Sequence, residues 1–227
     1  MKPKIVRNIQ RADPSLIQTL GRLGVATVHE AQGRVGLMNP YMRPIYPAAA
    51  VAGSAIPVLC PPGDNLTIHA AIEFCREGDV LVIAIAEQTG HEYGMFGELL
   101  GTTCRWHGLA GLVIEAGVRD TAELTRMKFP VWSKAITAQG TAKVAVGSVN
   151  LPIVCAGAHV DPGDVIVGDA DGVVVVKRQA AAEVASAAED RREQEELIRR
   201  RLEAGELGLD IYGWRDKLAQ LGVEYEE

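Results

Sequence analysis

Glu98, Arg119, Asp120 and Glu123 are the residues whose types and spacing could do chemistry. Twenty residues separate Glu98 from Arg119, and Asp120 follows directly. Glu98 stands in a glycine-punctuated loop, Gly94-Met-Phe-Gly97, ahead of Leu99-Leu100-Gly101 and a segment with a helical pattern that ends at Trp106-His107-Gly108. Arg119 and Asp120 follow the apolar run Leu112-Val113-Ile114, which reads as a buried strand. They stand just past its C-terminal end, where open α/β sheets place ligands. One strand end thus offers a fixed cation and a hard anionic oxygen. The loop offers backbone N–H groups and a second carboxylate. This set could hold a divalent metal and a small anionic substrate together. Read alone, Arg119-Asp120 is equally an ion pair at a strand end, and Glu98 a first-turn acid favoured by the helix dipole.

The elements that must position these residues are legible in outline. Asp13-Pro14 is a helix start, with Asp as N-cap and Pro at the first helical position. Leu16, Ile17, Leu20 and Leu23 give that helix an apolar face, and Gly24 is its stop. A short second helix spans about Thr27 to Gln32, and Pro40, Pro44 and Pro47 keep residues 33–47 irregular. Val51 to Cys60 reads as a strand. Pro61-Pro62-Gly63-Asp64-Asn65 turns into a helix carrying Ile68, Ala71, Ile72 and Cys75, with Asp64 and Asn65 as capping residues. Val80 to Ile85 is the purest strand pattern, Thr121 to Met127 is a short helix, and Pro130-Val131-Trp132 opens another strand.

Beyond Gly140 the texture becomes β-rich, with runs at Thr141–Val146, Ile153–Val154, Val165–Val167 and Gly172–Val176. Asp171-Gly172 is a hairpin signal. Arg178 to Leu202 is one long helix, alanine-rich and then charged, with Gly205 as its stop. The expectation is an α/β sandwich with mixed sheets over residues 1–205. A tail, 206–227, carries Leu209, Ile211, Tyr212, Trp214, Leu218 and Leu221 and is too apolar to hang in water; a neighbouring subunit is the expected cover.

A formal charge of −6 argues against general nucleic-acid binding. No apolar run approaches the roughly 18–20 residues that span a bilayer. The basic N-terminus lacks an apolar signal core, so a cytoplasmic protein is expected. Cys60, Cys75, Cys104 and Cys155 form no CxxC and read as free structural thiols. His29, His69, His91, His107 and His159 form no zinc motif. His91 is placed as a lid residue without a role.

The acid–twenty residues–Arg-Asp spacing, with Glu123 three positions on, resembles the motif of the class II pyruvate aldolases that cleave 4-hydroxy-4-methyl-2-oxoglutarate and 4-carboxy-4-hydroxy-2-oxoadipate. The same superfamily holds the regulators of ribonuclease E activity. Val25–Gly33, Pro61–Asn65, Phe129–Lys134 and Ala204–Gly213 are similar to the aldolase branch, so the likeness covers nearly the whole chain. It implies the swivelling α/β/α-type fold of the ribonuclease E regulators.

The resemblance further implies Asp120 as the ligand of Mg²⁺ or Mn²⁺ and Arg119 as the group that contacts the ketone oxygen and stabilises an enolate. It implies Glu98, where the family has Asp, at the metal's surroundings, and the N–H groups of Glu98, Leu99 and Leu100 on a pyruvate carboxylate. An acid from a neighbouring subunit of a homotrimer or homohexamer completes the set; counting favours Glu195, with Glu193 and Glu196 as competitors. The loop of Asp64 and Asn65 comes near the site. The implied reaction is retro-aldol cleavage to pyruvate plus pyruvate or oxaloacetate, in aromatic-acid catabolism, with oxaloacetate decarboxylation as a side activity and a metal-bound water as base. A Schiff-base mechanism through Lys134, Lys143 or Lys177 is disfavoured by the metal motif. The competing reading is a non-catalytic regulator of ribonuclease E. A phosphohistidine carrier built on His159 fails for want of flanking signature residues.

Overall fold

A computed structural model describes residues 3–87, 90 and 92–226. Two compact units divide at Ala188/Glu189. Thr89 and His91 lie outside the described residues.

The first unit opens with α1 (Pro14–Ala31), whose N-cap Asp13 accepts from Ser15 N at 2.8 Å. Gly24, at φ 81°, breaks α1 into the two helices expected from the sequence, and the second half starts with Val25 N donating to Asp169 at 2.8 Å. The elements that follow are β1 (Arg43–Pro44), β2 (Val51–Cys60), α2 (Leu66–Ile72), β3 (Asp79–Ile85) and β4 (Gly94–Phe96). Then come α3 (Glu98–Trp106), β5 (Gly111–Val118), α4 (Thr121–Arg126) and β6 (Val131–Ile136). The β-rich portion supplies β7 (Ser148–Val149), β8 (Ile153–Cys155), β9 (Ala158–Val160), β10 (Val165–Asp169) and β11 (Gly172–Val176). A short 3₁₀ turn, Arg178–Ala180, leads into α5 (Ala181–Glu203), which crosses the unit boundary.

The main sheet runs β1-β6-β5-β3-β2-β10-β11, with β4 added beside β5 and β7 beside β2. Its centre, β6-β5-β3-β2, is parallel, and β10 and β11 close the far side antiparallel. This is the mixed α/β architecture the patterning predicts. The parallel strands are buried on both faces, which is why β3 reads as an unbroken apolar run rather than an alternation. One face packs Ile68, Ile72, Leu100, Cys104 and Leu124 from α2, α3 and α4. The other packs Met38, Met42 and the β8–β9 hairpin, and α1 and the start of α5 cover β10 and β11. Trp132, fully buried, donates from Nε1 to Asp169 O at 2.9 Å and so ties β6 across the sheet.

Two expectations need correction. Gly94–Phe96 is a strand, not loop: its three residues are too few to show a period, and pairing with β5 makes them β. Residues 141–146 are not a strand. Val144 is 87% exposed, so the Val144/Val146 alternation marks no buried face. The backbone there is claimed by a side chain instead, since Val144 N and Ala145 N both donate to the Asp64 carboxylate.

The second unit holds the charged part of α5, then α6 (Gly208–Ile211) and α7 (Trp214–Gln220). Tyr212 and Trp214 stack with centroids 4.3 Å apart, and Arg201 pairs with Glu206 at 2.6 Å. Leu207, Tyr212, Trp214 and Leu221 are exposed in the single chain. Among the described residues no helix is long and apolar enough to cross a membrane.

The four cysteines are free thiols. Burial pushes Cys60 and Cys104 up to about 12 and raises Cys75 and Cys155 as well, so none is poised as a nucleophile.

Candidate active site

The C-terminal ends of the parallel strands meet at a cavity of about 600 Å³. Arg119, Asp120, Glu98, Leu99 and Leu100 all line it, together with Glu123, Asn65, His69 and Lys143. The sheet explains the convergence. β5 ends at Val118, so Arg119 and Asp120 are the first residues beyond it. β4 runs parallel to β5 and ends at Phe96, which brings Gly97 and the start of α3 alongside. Arg119 N donating to Phe96 O at 2.9 Å locks the two exits together.

Asp120 is in the left-handed conformation, φ 55° and ψ 37°, at the N-cap of α4. This region is costly for residues other than Gly and the short polar types, and such strain collects at functional sites. Its carboxylate does not cap its own helix. Oδ2 instead accepts from Glu98 N at 3.0 Å and lies 3.7 Å from Arg119 Nε. No donor reaches Oδ1 among the described residues. The Arg119 and Asp120 side chains are 47% and 40% exposed, so both remain open to a ligand.

The N–H of Glu98 is thus engaged within the protein. Those of Leu99 and Leu100, at the start of α3, have no acceptor among the described residues and remain as anion donors on the cavity wall. The Glu98 side chain turns back along α3, where Oε1 accepts from Thr102 Oγ1 at 2.9 Å. Glu123 pairs with Arg126 at 3.1 Å.

Gly97 is required by close approach. A Cβ there would stand 2.5 Å from Asp120 Oδ2 and 3.0 Å from Arg119 Cγ. Gly97→Ala should therefore push the carboxylate aside with the fold intact. Misplacing a reacting group by about an ångström can cost 10²-fold, so a loss of roughly 10- to 10²-fold in activity is expected. Circular dichroism and a turnover assay on the same preparation check this; a fully active Gly97→Ala protein would show that Asp120 need not stay where it is.

More of the wall comes from Asn65, whose loop the resemblance places near the site, and from His69 and Lys143, which the sequence does not bring together. Asn65 Nδ2 donates to Met95 O at 3.0 Å, which fixes its amide and leaves the buried Oδ1 without a partner. Asn65 is therefore not a helix-capping side chain; that task falls to Asp64, which accepts from Leu66 N at 2.9 Å. His69 lies within α2, and partial burial, with the Lys143 ammonium second, holds its pKa below the usual histidine value. Both effects favour its neutral form. Nothing local marks His69 or Lys143 as site residues, since contacts between distant parts of the chain bring them to the cavity. Lys134 pairs with Glu92 at 2.6 Å, and Lys177 with Asp161 and Asp164 at 2.8 Å.

Glu195 belongs to the second unit, where it pairs with Arg191 at 2.8 Å, while Glu196 pairs with Arg199 and Arg200. Among the described residues no three His, Cys, Asp or Glu side chains gather closely enough to cage a metal ion. The donor set suits Mg²⁺ or Mn²⁺ better than zinc. It offers one accessible carboxylate, Asp120, with Glu98 near, and Mg²⁺ is commonly held by one or two carboxylates with its remaining positions left to water and substrate.

The model of the RraA-like family, described as Aldolase/RraA, matches residues 25–175, which include the whole cavity wall. A protein of Halalkalibacterium halodurans named "Putative 4-hydroxy-4-methyl-2-oxoglutarate aldolase" is 31% identical over 168 residues, covering 74% of this chain and 79% of its own. A Burkholderia multivorans protein of the same name is 31% identical over 160 residues, covering 69% and 96%. The crystal structure of Streptomyces coelicolor RraAS2, described as an unusual member of the RNase ES inhibitor RraA protein family, superposes with a TM-score of 0.74 at 26% identity. It covers 85% of this chain and 99% of its own. Family match, relatives and fold agree: this chain belongs to the RraA-like, Aldolase/RraA family.

Proposed function

We propose that this protein is a divalent-metal-dependent aldolase that cleaves a 4-hydroxy-2-oxo acid bearing a second carboxylate, such as 4-hydroxy-4-methyl-2-oxoglutarate or 4-carboxy-4-hydroxy-2-oxoadipate, to pyruvate and a second oxo acid. The observation that carries it is the strained Asp120 carboxylate beside Arg119, lining one cavity with Leu99 and Leu100, whose N–H groups have no acceptor among the described residues. The relatives named as aldolases support the same reaction class.

Each residue then has a task. Leu99 and Leu100 N–H bind the C1 carboxylate of the substrate. Arg119 donates to the C2 ketone oxygen and stabilises the negative charge that grows there; its planar fork suits this better than a lysine. Asp120 would hold Mg²⁺ or Mn²⁺, whose bound chemistry is Lewis-acid polarisation of the same carbonyl. Lys143, also on the cavity wall, supplies counter-charge for the second carboxylate. When the C4 hydroxyl gives up its proton, the C3–C4 bond breaks, C4 becomes a carbonyl and the bonding pair passes to C3 as an enolate. His69, neutral and on the wall, can accept that proton. The same enolate follows from loss of CO₂ by oxaloacetate, so slow decarboxylation is an expected side activity.

Pyruvate release from 4-hydroxy-4-methyl-2-oxoglutarate, followed with a coupled lactate dehydrogenase, tests this reading. Two pyruvates per substrate are expected. No release from either hydroxy-oxo acid, with Mg²⁺ and Mn²⁺ each supplied, would favour the regulator reading that the RraAS2 likeness keeps open.

Glu98 is assigned to tune metal binding. Glu98→Asp should be tolerated, because the shorter acid starts from the same position on α3. Glu98→Gln should raise the Mg²⁺ needed for half activity by about tenfold, as supporting acids around metals typically do. Unchanged Mg²⁺ dependence in Glu98→Gln would leave Glu98 as an ordinary first-turn acid.

A further inference from the structure

The loop that brings Lys143 to the cavity has almost nothing apolar to hold it. Val144 is 87% exposed and Val146 is 42% exposed, and residues 140–147 form no strand. A segment without burial must be fixed by hydrogen bonds or not at all. Here they converge on one side chain. Asp64, 3% exposed, accepts from Val144 N at 2.6 Å and Ala145 N at 2.9 Å through Oδ2, while Oδ1 accepts from Leu66 N at 2.9 Å. The backbone beside it adds Ala142 N to Gly63 O at 2.8 Å, and Thr67 Oγ1 accepts from Gly147 N at 2.8 Å. The two N–H groups that flank the Lys143–Val144 and Val144–Ala145 peptides are therefore pinned to the same buried carboxylate. Such anion-to-backbone bonds are about twice as strong as neutral ones.

We infer that Asp64 is a positioning residue of the active site: its carboxylate clamps the Gly140–Gly147 loop so that Lys143 faces the second carboxylate of the substrate. The inference rests on the reading of Lys143 given above. It goes beyond helix capping, because capping engages only Leu66 N and leaves the Val144 and Ala145 bonds unexplained. Asp64 does not touch the reacting atoms, and it acts on the end of the substrate that distinguishes a dicarboxylic acid from pyruvate.

Asp64→Asn and Lys143→Met, singly and together, separate this from a general loss of structure. The asparagine keeps the size of the side chain but turns one acceptor into an NH₂ that faces N–H donors. KM and kcat are read with 4-hydroxy-4-methyl-2-oxoglutarate, and pyruvate, which has no second carboxylate, is read as a competitive inhibitor. Each single variant should raise KM about tenfold, with kcat within about twofold and the pyruvate inhibition constant unchanged. The double variant should be no worse than the worse single, because two residues acting through one contact do not add. If Asp64→Asn does not fold, Asp64→Glu, which keeps the charge but carries it one methylene out of register with Val144 N and Ala145 N, decides in its place: a rise in KM alone supports the clamp, and a wild-type KM overturns it. A raised KM in Lys143→Met with an unchanged KM in Asp64→Asn overturns the clamp alone. An unchanged KM in Lys143→Met overturns the Lys143 reading and the clamp together.

Discussion

Arg119→Ala should lower kcat by about 10²–10³-fold, the usual cost of removing one preorganised donor from developing negative charge. The side chain is well placed for that role and poorly placed for a structural one. It is half-exposed, and its contact with Asp120 spans 3.7 Å, too long for a hydrogen bond. The backbone, not the guanidinium, ties β5 to β4, through Arg119 N and Phe96 O. Stability should therefore change little while turnover collapses. Arg119→Lys should also be poor, because a single ammonium cannot reproduce the planar fork. Steady-state kinetics beside a thermal melt make the comparison. A nearly wild-type Arg119→Lys enzyme would refute the assignment, and a large fall in melting temperature with Arg119→Ala would make the residue structural.

Asp120→Gly should separate activity from stability even more sharply. Glycine adopts the left-handed region without a steric penalty, and that region costs L-residues about 1–2 kcal/mol. Asp120 sits there at φ 55°, so the glycine variant should fold at least as well, by up to about 1 kcal/mol given the tolerance of Asp for that region. Its activity should fall by 10²-fold or more, beyond the 10- to 100-fold typical of residues one shell out from a metal, and added Mg²⁺ should not restore it. A destabilised Asp120→Gly protein that still turned over would mean that the strained aspartate serves the fold rather than the site.

How far the sequence reaches is clear from where it succeeds. β2, β3 and β5 are apolar runs of strand length, and burial on both faces leaves them no other reading. The cap at Asp13, the break at Gly24 and the Asp171-Gly172 hairpin are local chemistry and appear as expected. The Arg119-Asp120 pair at a strand end is local too. The rest of the cavity wall is not. His69 and Lys143 lie 74 positions apart in the chain and meet because the Asp64–Ala142 bridge and the pairing of β7 with β2 bring the loop after β6 beside α2. The valines of that loop invite a strand reading, because a pattern of apolar residues cannot show that a distant carboxylate has taken their backbone N–H groups. The run Pro61-Pro-Gly-Asp-Asn65 carries the one available signal: capping is its default explanation, and the family resemblance places that loop near the site, where Asn65 lies. The conformation of Asp120 likewise has no local signature.

One reading from the sequence reaches beyond the single chain. If Glu195 of the partner subunit completes the site, Asp120→Ala and Glu195→Ala proteins should complement when denatured together and refolded. In a cyclic trimer with heterologous interfaces, about one quarter of wild-type activity should return by random mixing. No gain over the parents, with mixed oligomers confirmed by mass spectrometry, would rule out the sharing or the choice of Glu195.

Metal-dependent cleavage is tested by pyruvate release from 4-hydroxy-4-methyl-2-oxoglutarate by wild-type protein treated with EDTA and desalted, before and after Mg²⁺ or Mn²⁺ is added back. Activity should fall to background without the cation and recover fully with it. Full activity in the chelator-treated protein, with no cation added, would contradict metal dependence.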